Sequence, residues 1–119
     1  ASPTVATLTG YKYLGCYTDE KDRLLNAAYQ DDDIEMSVEK CAYYCSSFIS
    51  SDRYYKYLGV EHGRQCFCGD DPTRDLDSVK REGCSDSCSD SSKNELCGGL
   101  WEIQVYSVSS GFTPPDVFP

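Results

Sequence analysis

The stretch GVEHGRQCFCG, residues 59–69, contains the side chains of this chain that are best suited to chemistry. It holds the only histidine, His62, and two cysteines, Cys66 and Cys68, which are separated by one residue. Imidazole and thiolate groups serve proteins as metal ligands, acid–base groups and nucleophiles. The stretch is therefore a metal site, a redox or hydrolytic centre, or a part of the scaffold, and the elements around it decide which.

Eight cysteines in 119 residues indicate a disulfide framework. An even number of closely spaced cysteines in a short polar chain is typical of domains that fold in an oxidising compartment. A domain of this size buries only a modest fraction of its surface and often needs covalent help. Four disulfides at about 2 to 4 kcal/mol each would rival the net stability of an ordinary domain. The eight are Cys16, Cys41, Cys45, Cys66, Cys68, Cys84, Cys88 and Cys97.

Charge and hydropathy exclude two classes of partner. Eleven Lys and Arg against twenty Asp and Glu give a net charge of −9, which repels phosphate backbones and anionic lipid, so the sequence predicts no nucleic acid partner. No apolar run approaches the roughly 18 residues of a membrane span, so we expect no membrane insertion by this segment. Because no signal peptide is visible, we expect a mature chain or a domain of a longer secreted protein.

The two ends of the chain differ from its middle. ASPTVATLTG and SSGFTPPDVFP are rich in Ser, Thr, Gly and Pro, a composition that is typical of linkers. We therefore assign residues 1–10 and 109–119 to linker stubs and residues 11–108 to one domain.

Three segments of that domain predict regular structure. YKYLGCYTD is an aromatic run that ends in turn residues and predicts a strand. In DDDIEMSVEKCAYYCSSFIS, Ser37 predicts the N-cap of a helix that ends near Ser50. One face of that helix carries Cys41, Cys45, Phe48 and Ile49. LWEIQVYSV alternates and predicts a strand with one face made of Trp101, Ile103 and Val105.

The opening stretch predicts a β-hairpin with a two-residue turn at His62 and Gly63. In this register Glu61 and Arg64 form a cross-strand ion pair, and His62 is a turn residue. The other predicted pairs are Val60 with Gln65, Gly59 with Cys66, Leu58 with Phe67, and Tyr57 with Cys68.

This hairpin offers the cysteines a structural role. Side-chain alternation puts Cys66 and Cys68 on one face, and the helix presents Cys41 and Cys45 on one face. The two pairs therefore predict a double staple between helix and hairpin, with Gly59 leaving room for the helix to approach.

Metal, redox and hydrolytic sites are poorly supported by the spacing. Structural zinc sites usually show C-x2-C knuckles, whereas this chain has C-x3-C twice and C-x-C once. No C-x-x-C redox motif and no G-x-S-x-G nucleophile motif is present. Carboxylate pairs could cleave glycosidic bonds, but a chain with twenty acidic residues is expected to contain such pairs by chance. The DDD run at residues 31–33 lacks the ligand spacing of a calcium-binding loop. The sequence predicts a noncatalytic domain without a metal or a cofactor.

Five segments together resemble the WSC domain, a module of fungal wall-stress sensors, fungal secreted carbohydrate-active enzymes and animal Kremen and polycystin-type proteins. The resemblance covers residues 11–108 and includes all eight cysteines. The segments are LGCYTD, MSVEKCAYYC, YKYLGVEHGRQCFCG, the C-x3-C at 84–88, and NELCGGLWEIQVYSV.

The resemblance implies a small disulfide-rich α+β fold, similar to PAN or apple modules, in which an antiparallel sheet cradles one main helix. It implies four disulfides: Cys16–Cys84, Cys41–Cys66, Cys45–Cys68 and Cys88–Cys97. It also implies a secreted, cell-wall-associated module that binds β-1,3-glucan, chitin or xylan, as part of an enzyme or a sensor. The alternative is a protein-interaction or weakly self-associating adhesion module.

The residues themselves suggest how a polysaccharide would be bound. The apolar C–H faces of pyranose rings pack on aromatic rings, while their hydroxyls need planar polar partners. Adjacent residues of a helix or strand do not both point inward, which favours the tandem pairs Tyr43-Tyr44 and Tyr54-Tyr55, whereas Trp101 and Tyr57 also suit the core. The candidates are Tyr43, Tyr44, Tyr54, Tyr55, Tyr57, Phe67, Trp101, Glu61, Arg64, Asp70, Asn94 and Gln104.

Overall fold

The computed structural model describes residues 2–46 and 55–108. Its five strands form one antiparallel sheet in the order β1-β5-β3-β4-β2. The small disulfide-rich α+β fold predicted from the sequence is therefore confirmed. No helix of this described part is long and apolar enough to span a bilayer. The elements are β1 Tyr11–Thr18, β2 Ala28–Asp31, α1 Val38–Ser46, β3 Tyr57–Glu61, β4 Gln65–Gly69, α2 Leu76–Val79 and β5 Glu102–Val108.

Helix α1 begins where the sequence predicts. The Ser37 hydroxyl accepts a hydrogen bond from the Lys40 amide at 3.0 Å, which satisfies one of the amides that a helix start leaves without a partner. Glu39 adds a negative charge to the first turn. The predicted end near Ser50, with Phe48 and Ile49, lies outside the described residues.

Apolar layers cover the middle of both faces of the sheet. Helix α1 covers one face, which we call the helix face, and packs there with Leu58, Val60 and Tyr106. The loop after β1 covers the other face, which we call the loop face, through Leu24 and Leu25. Two apolar layers therefore enclose the sheet, and the loop-face layer consists of Tyr17, Leu24, Leu25, Phe67, Ile103 and Val105.

All four disulfides are present in the pairing that the family resemblance implies. No cysteine is free, and the Cα atoms of each pair lie 4.8 to 5.9 Å apart, within the usual range. Two of the bonds join α1 to β4, so the predicted double staple is confirmed. The pairs are Cys16–Cys84, Cys41–Cys66, Cys45–Cys68 and Cys88–Cys97.

The predicted hairpin register is wrong by one residue. Glu61 pairs with Gln65 rather than Arg64, and residues 62–64 form the connection. The observed pairs are Tyr57 with Gly69, Leu58 with Cys68, Gly59 with Phe67, Val60 with Cys66, and Glu61 with Gln65. Gly59 therefore faces Phe67 on the loop face and does not make room for α1.

Contacts from distant segments explain this register. The amides of His62 and Gly63 donate to the carbonyls of Gly99 and Cys97 at 3.1 and 2.9 Å, and the Arg64 carbonyl accepts from the Asp32 amide at 2.9 Å. These hydrogen bonds join residues 62–64 to segments outside the hairpin, so Arg64 is not part of the strand pairing. His62 is a turn residue, as predicted, with a φ of 56°.

The predicted position of Trp101 on the face of the last strand is also wrong. Gly99 and Glu102 exchange backbone hydrogen bonds at 2.9 and 3.1 Å, so Leu100 and Trp101 form a tight turn before β5. Trp101 has a φ of 57°, and its ring is half exposed. The rest of the predicted alternation is confirmed, because Ile103 and Val105 share the loop-face layer.

The N-terminal segment assigned to a linker contacts the core. The Thr4 carbonyl accepts from the Leu96 amide at 2.9 Å, and the Ala6 carbonyl accepts from the Tyr106 hydroxyl at 3.0 Å. Ala6 is buried. The assigned domain limits stay a prediction, but residues 4–6 clearly pack as part of the fold.

Candidate functional site

A row of stacked side chains crosses the loop face of the sheet. The Arg23 guanidinium lies 4.8 Å from the centroid of the Trp101 ring and 4.9 Å from that of Phe67. The Phe67 and Tyr29 ring centroids are 5.0 Å apart. We call these four residues the aromatic row. Its outer members are exposed, Tyr29 at 49% and Trp101 at 46%, while Phe67 is 3% exposed and supports Arg23 from the core.

Two buried carboxyl groups hold Arg23 in place. Its Nη1 donates to Asp19 Oδ2 and to Glu61 Oε2, at 3.2 Å each. Asp19 Oδ1 accepts from the Leu24 amide at 2.8 Å and fixes the loop that carries Arg23. Within residues 2–46 and 55–108, Arg23 Nη2 and Nε donate to no acceptor. Because Arg23 also lines both cavities beside it, these donors are available to a ligand.

The pKa values of Asp19 and Glu61 shift in opposite directions. Burial raises the pKa of Glu61 to about 9, and the neighbouring Asp19 charge adds to that rise. Burial also opposes ionisation of Asp19, but hydrogen bonds from Glu61, the Leu24 amide and Arg23 hold the pKa of Asp19 below its usual value. Glu61 is therefore protonated at neutral pH and Asp19 is charged. Glu61 Oε1 is buried and has no hydrogen-bond partner in the described part of the chain.

Two cavities flank Arg23. An open groove of about 810 Å³ extends from Arg23 past Tyr29 to Thr73, and its polar rim includes Lys21 and Asn26. A smaller cavity of about 70 Å³ lies beside Trp101 and is lined by Arg23, Glu61, His62, Gln65, Leu100 and Trp101. Flat apolar rings interrupted by hydrogen-bond donors suit an uncharged ligand that has both apolar faces and hydroxyl groups.

Four of the residues predicted for the site lie in or beside the aromatic row. Phe67 and Trp101 belong to it, and Glu61 positions Arg23. Arg64 borders the row because its Nε lies 3.4 Å from Asp31, whose carboxylate accepts from the Tyr29 hydroxyl at 2.9 Å.

The other predicted residues lie elsewhere. Tyr43 and Tyr44 are on α1, and the Tyr44 hydroxyl donates to the Tyr29 carbonyl at 2.8 Å. Tyr55 packs on the helix face and Tyr57 on the loop-face layer, while Tyr54 lies outside the described residues.

Three predicted polar partners make contacts within the protein. Asp70 accepts from the Lys56 amide at 3.1 Å, and Asn94 donates to the Ser2 carbonyl at 3.3 Å. Gln104 is fully buried and accepts from the Gly98 amide at 3.2 Å, so we leave it out of the site.

Sequence reasoning missed Arg23 and Tyr29. Arg23 directly precedes the apolar pair Leu24 and Leu25. This pair is the signal in the sequence that the loop carrying Arg23 packs on the core. Tyr29 lies in a four-residue strand, which is too short to give a clear alternating pattern.

The fold and the site define a small disulfide-bonded module that carries a row of rings with exposed ends. A model of the WSC domain matches residues 13–99. The chain therefore belongs to the WSC domain family, a family of noncatalytic carbohydrate-binding and cell-wall stress modules.

Similar sequences occur within much longer proteins. Xylosyltransferase oxt of Drosophila melanogaster is 38% identical over 94 residues, which are 78% of this chain and 10% of that protein. A WSC domain-containing protein of Arthroderma benhamiae is 29% identical over 102 residues, 84% of this chain and 13% of that protein. Kremen protein 2 of Homo sapiens is 27% identical over 99 residues, 83% of this chain and 20% of that protein. The chain spans a tenth to a fifth of the length of these relatives.

Proposed function

We propose that this domain is a noncatalytic module that attaches its parent protein to cell-wall polysaccharide through the aromatic row. The observation that carries the proposal is the position of Arg23, which contacts both the Phe67 and Trp101 rings and whose Nη2 and Nε donate to no acceptor within residues 2–46 and 55–108. A ring-lined surface with free planar donors matches the alternating apolar faces and hydroxyl groups of a glycan.

The groove beside Tyr29 supports binding of a polymer rather than of a small molecule. It is open along one side, and its volume of about 810 Å³ is at the upper end of the range for ligand sites. Sugars that stack on Tyr29 and Trp101 would lie on either side of Arg23. A polysaccharide chain that follows the row would contact all three exposed side chains at once.

The setting we propose is extracellular. Four disulfides suit an oxidising compartment, and family membership suits a module of a fungal wall sensor or an accessory domain of a secreted carbohydrate-active enzyme. β-1,3-Glucan, chitin and xylan are the candidate polymers. The relatives carry the matching segment as a minor part of their length, which supports an accessory role.

A second candidate function is protein interaction or weak self-association. It is favoured by Ile34, which is 72% exposed, and by the exposed Tyr43 on α1. Neither residue belongs to the aromatic row, so the two functions can be separated by substitution.

The test is a pull-down on insoluble glucan, chitin and xylan with two row variants, Tyr29→Ala and Trp101→Ala, and one control, Tyr43→Ala. Each row variant should weaken binding by about 1 to 2 kcal/mol, because it removes one stacking ring. Tyr43→Ala should bind normally, and unchanged melting curves should accompany every variant. Loss of binding in Tyr43→Ala alone would move the site to α1, and sedimentation with none of the polymers would refute the proposal.

A further inference from the structure

The small cavity beside Trp101 has the size of a substituent rather than of a sugar ring. Its volume of about 70 Å³ is roughly that of two water molecules. The Trp101 ring forms one wall of this cavity and is half exposed. A pyranose stacked on that ring would place one of its exocyclic groups at the cavity mouth.

The walls of the cavity are of two chemical kinds. Trp101 and Leu100 offer apolar surface, and Leu100 is 66% exposed. The other lining residues are polar or charged: Arg23, Glu61, His62 and Gln65. Gln65 Nε2 is 3.5 Å from the Tyr29 hydroxyl, and within the described part of the chain Gln65 Oε1 accepts no hydrogen bond. The cavity thus offers an apolar contact, an acceptor and several donors among its lining residues.

Few sugar substituents use all of these features. A hydroxyl or hydroxymethyl group would leave the apolar wall without a partner. An acetamido group has a methyl for Trp101 and Leu100, a carbonyl oxygen for Arg23 or Gln65 Nε2, and an N–H for Gln65 Oε1. Each polar atom of the group therefore has a partner, as buried polar atoms require.

We propose that the cavity formed by Gln65, Leu100, Arg23 and Trp101 is a subsite for the acetamido group of an N-acetylhexosamine whose ring stacks on Trp101. This inference rests on the proposed function and adds a preference to it. A site built to hydrogen-bond a substituent rejects the analogue that lacks it, because its own polar groups are then left without partners. The domain should therefore prefer N-acetylated chains to unsubstituted chains of the same linkage.

The experiment compares two neutral β-1,4-linked oligosaccharides of equal length, a chito-oligosaccharide and a cello-oligosaccharide, by titration calorimetry. They differ only in the substituent at C2. The wild-type domain should bind the chito-oligosaccharide about tenfold more tightly, the effect of one or two hydrogen bonds. Gln65→Leu should remove this preference by lowering the affinity for the chito-oligosaccharide to that for the cello-oligosaccharide. The matched control is Gln30→Leu, the same change in β2 on the helix face, which should keep the preference.

The outcomes separate this inference from the proposed function. Equal affinity of the wild-type domain for the two sugars would overturn the subsite and leave glycan binding intact. Binding of neither sugar, nor of any insoluble polymer, would refute the proposed function itself. A preference that survives both Gln65→Leu and Leu100→Ser would also overturn the subsite, because the discriminating contact would then lie elsewhere.

Discussion

The protonated Glu61 predicts that the domain loses stability as the pH rises from neutral to 9. The pKa of Glu61 rises from its ordinary value of 4.5 to about 9 in the folded protein. Between these values the folded state holds one proton that the unfolded state has released. The stabilisation is therefore complete below pH 4.5 and is lost progressively as the pH approaches 9.

The size of the effect follows from one proton. A difference of one bound proton changes the free energy of unfolding by about 1.4 kcal/mol per pH unit. Between pH 7 and pH 9 the domain should lose about 2 to 3 kcal/mol. Asp19 has the opposite effect in another pH range. Because its pKa is lowered, its charged form stabilises the folded state above the ordinary pKa range of an aspartate, and this stabilisation is lost only in acid. The loss between pH 7 and 9 therefore reports on Glu61.

Glu61→Gln isolates this group. The amide of a glutamine can accept from Arg23 and donate to Asp19, so it replaces the protonated carboxyl group without a titrating proton. The variant should unfold within about 1 kcal/mol of wild type at pH 5, where wild type has lost little of this stabilisation, and should keep that stability at pH 9. The control is Glu20→Gln, at an exposed acid that lies 4.0 Å from Arg74, and it should lose stability with pH as wild type does.

The assay is guanidinium unfolding with the disulfides intact, measured at each pH from 5 to 9. A wild-type free energy of unfolding that is constant or rises over this range would refute the raised pKa of Glu61. An equal loss in Glu61→Gln would assign the pH dependence to another group.

Two further predictions concern packing and salt. Gly59→Val should lower the free energy of unfolding by about 1 to 3 kcal/mol through overpacking, because a Cβ at position 59 would lie 2.5 Å from Ile103 Cδ1. His62→Ala changes an exposed turn and should lower it by less than about 1 kcal/mol. Equal decreases in melting temperature for the two variants would contradict this account. Retention on insoluble glucan or chitin should change little between low and high salt despite the −9 charge, because these proposed ligands are uncharged. Pull-downs across a salt series should show constant binding, and release at moderate salt would point to an electrostatic partner.

The parts of the fold that the sequence predicts depend on short-range patterns. Cys41 and Cys45 share a face because they are four residues apart in a helix, and Cys66 and Cys68 share a face because they are two apart in a strand. Their facing pairs therefore predict the double staple whatever the exact hairpin register. The Ser37 cap is equally local.

The parts that it does not predict depend on distant backbone. The hairpin register is set by carbonyls of Cys97 and Gly99, which lie more than thirty positions along the chain from the turn. The aromatic row has the same origin, because Arg23, Phe67 and Trp101 come from a loop, a strand and a turn that meet only in the folded sheet. The hydrophobic periodicity of one segment carries no information about its contacts with segments that are distant in the sequence.

The pairing of β1 with β5 also determines how the domain would carry mechanical load. Tyr11 is opposite Val108 in this antiparallel pair, so the chain enters and leaves the sheet at the same end. Tension applied at both sides of the domain would peel β1 from β5 one hydrogen bond at a time, the direction in which a strand pair is weakest. Separation of the two strands stops at Cys16, because the disulfide bond between Cys16 and Cys84 then carries the force. In a longer wall-bound protein, the domain would thus yield a short, fixed length of chain while the disulfide-stapled layer that carries Phe67 keeps its shape.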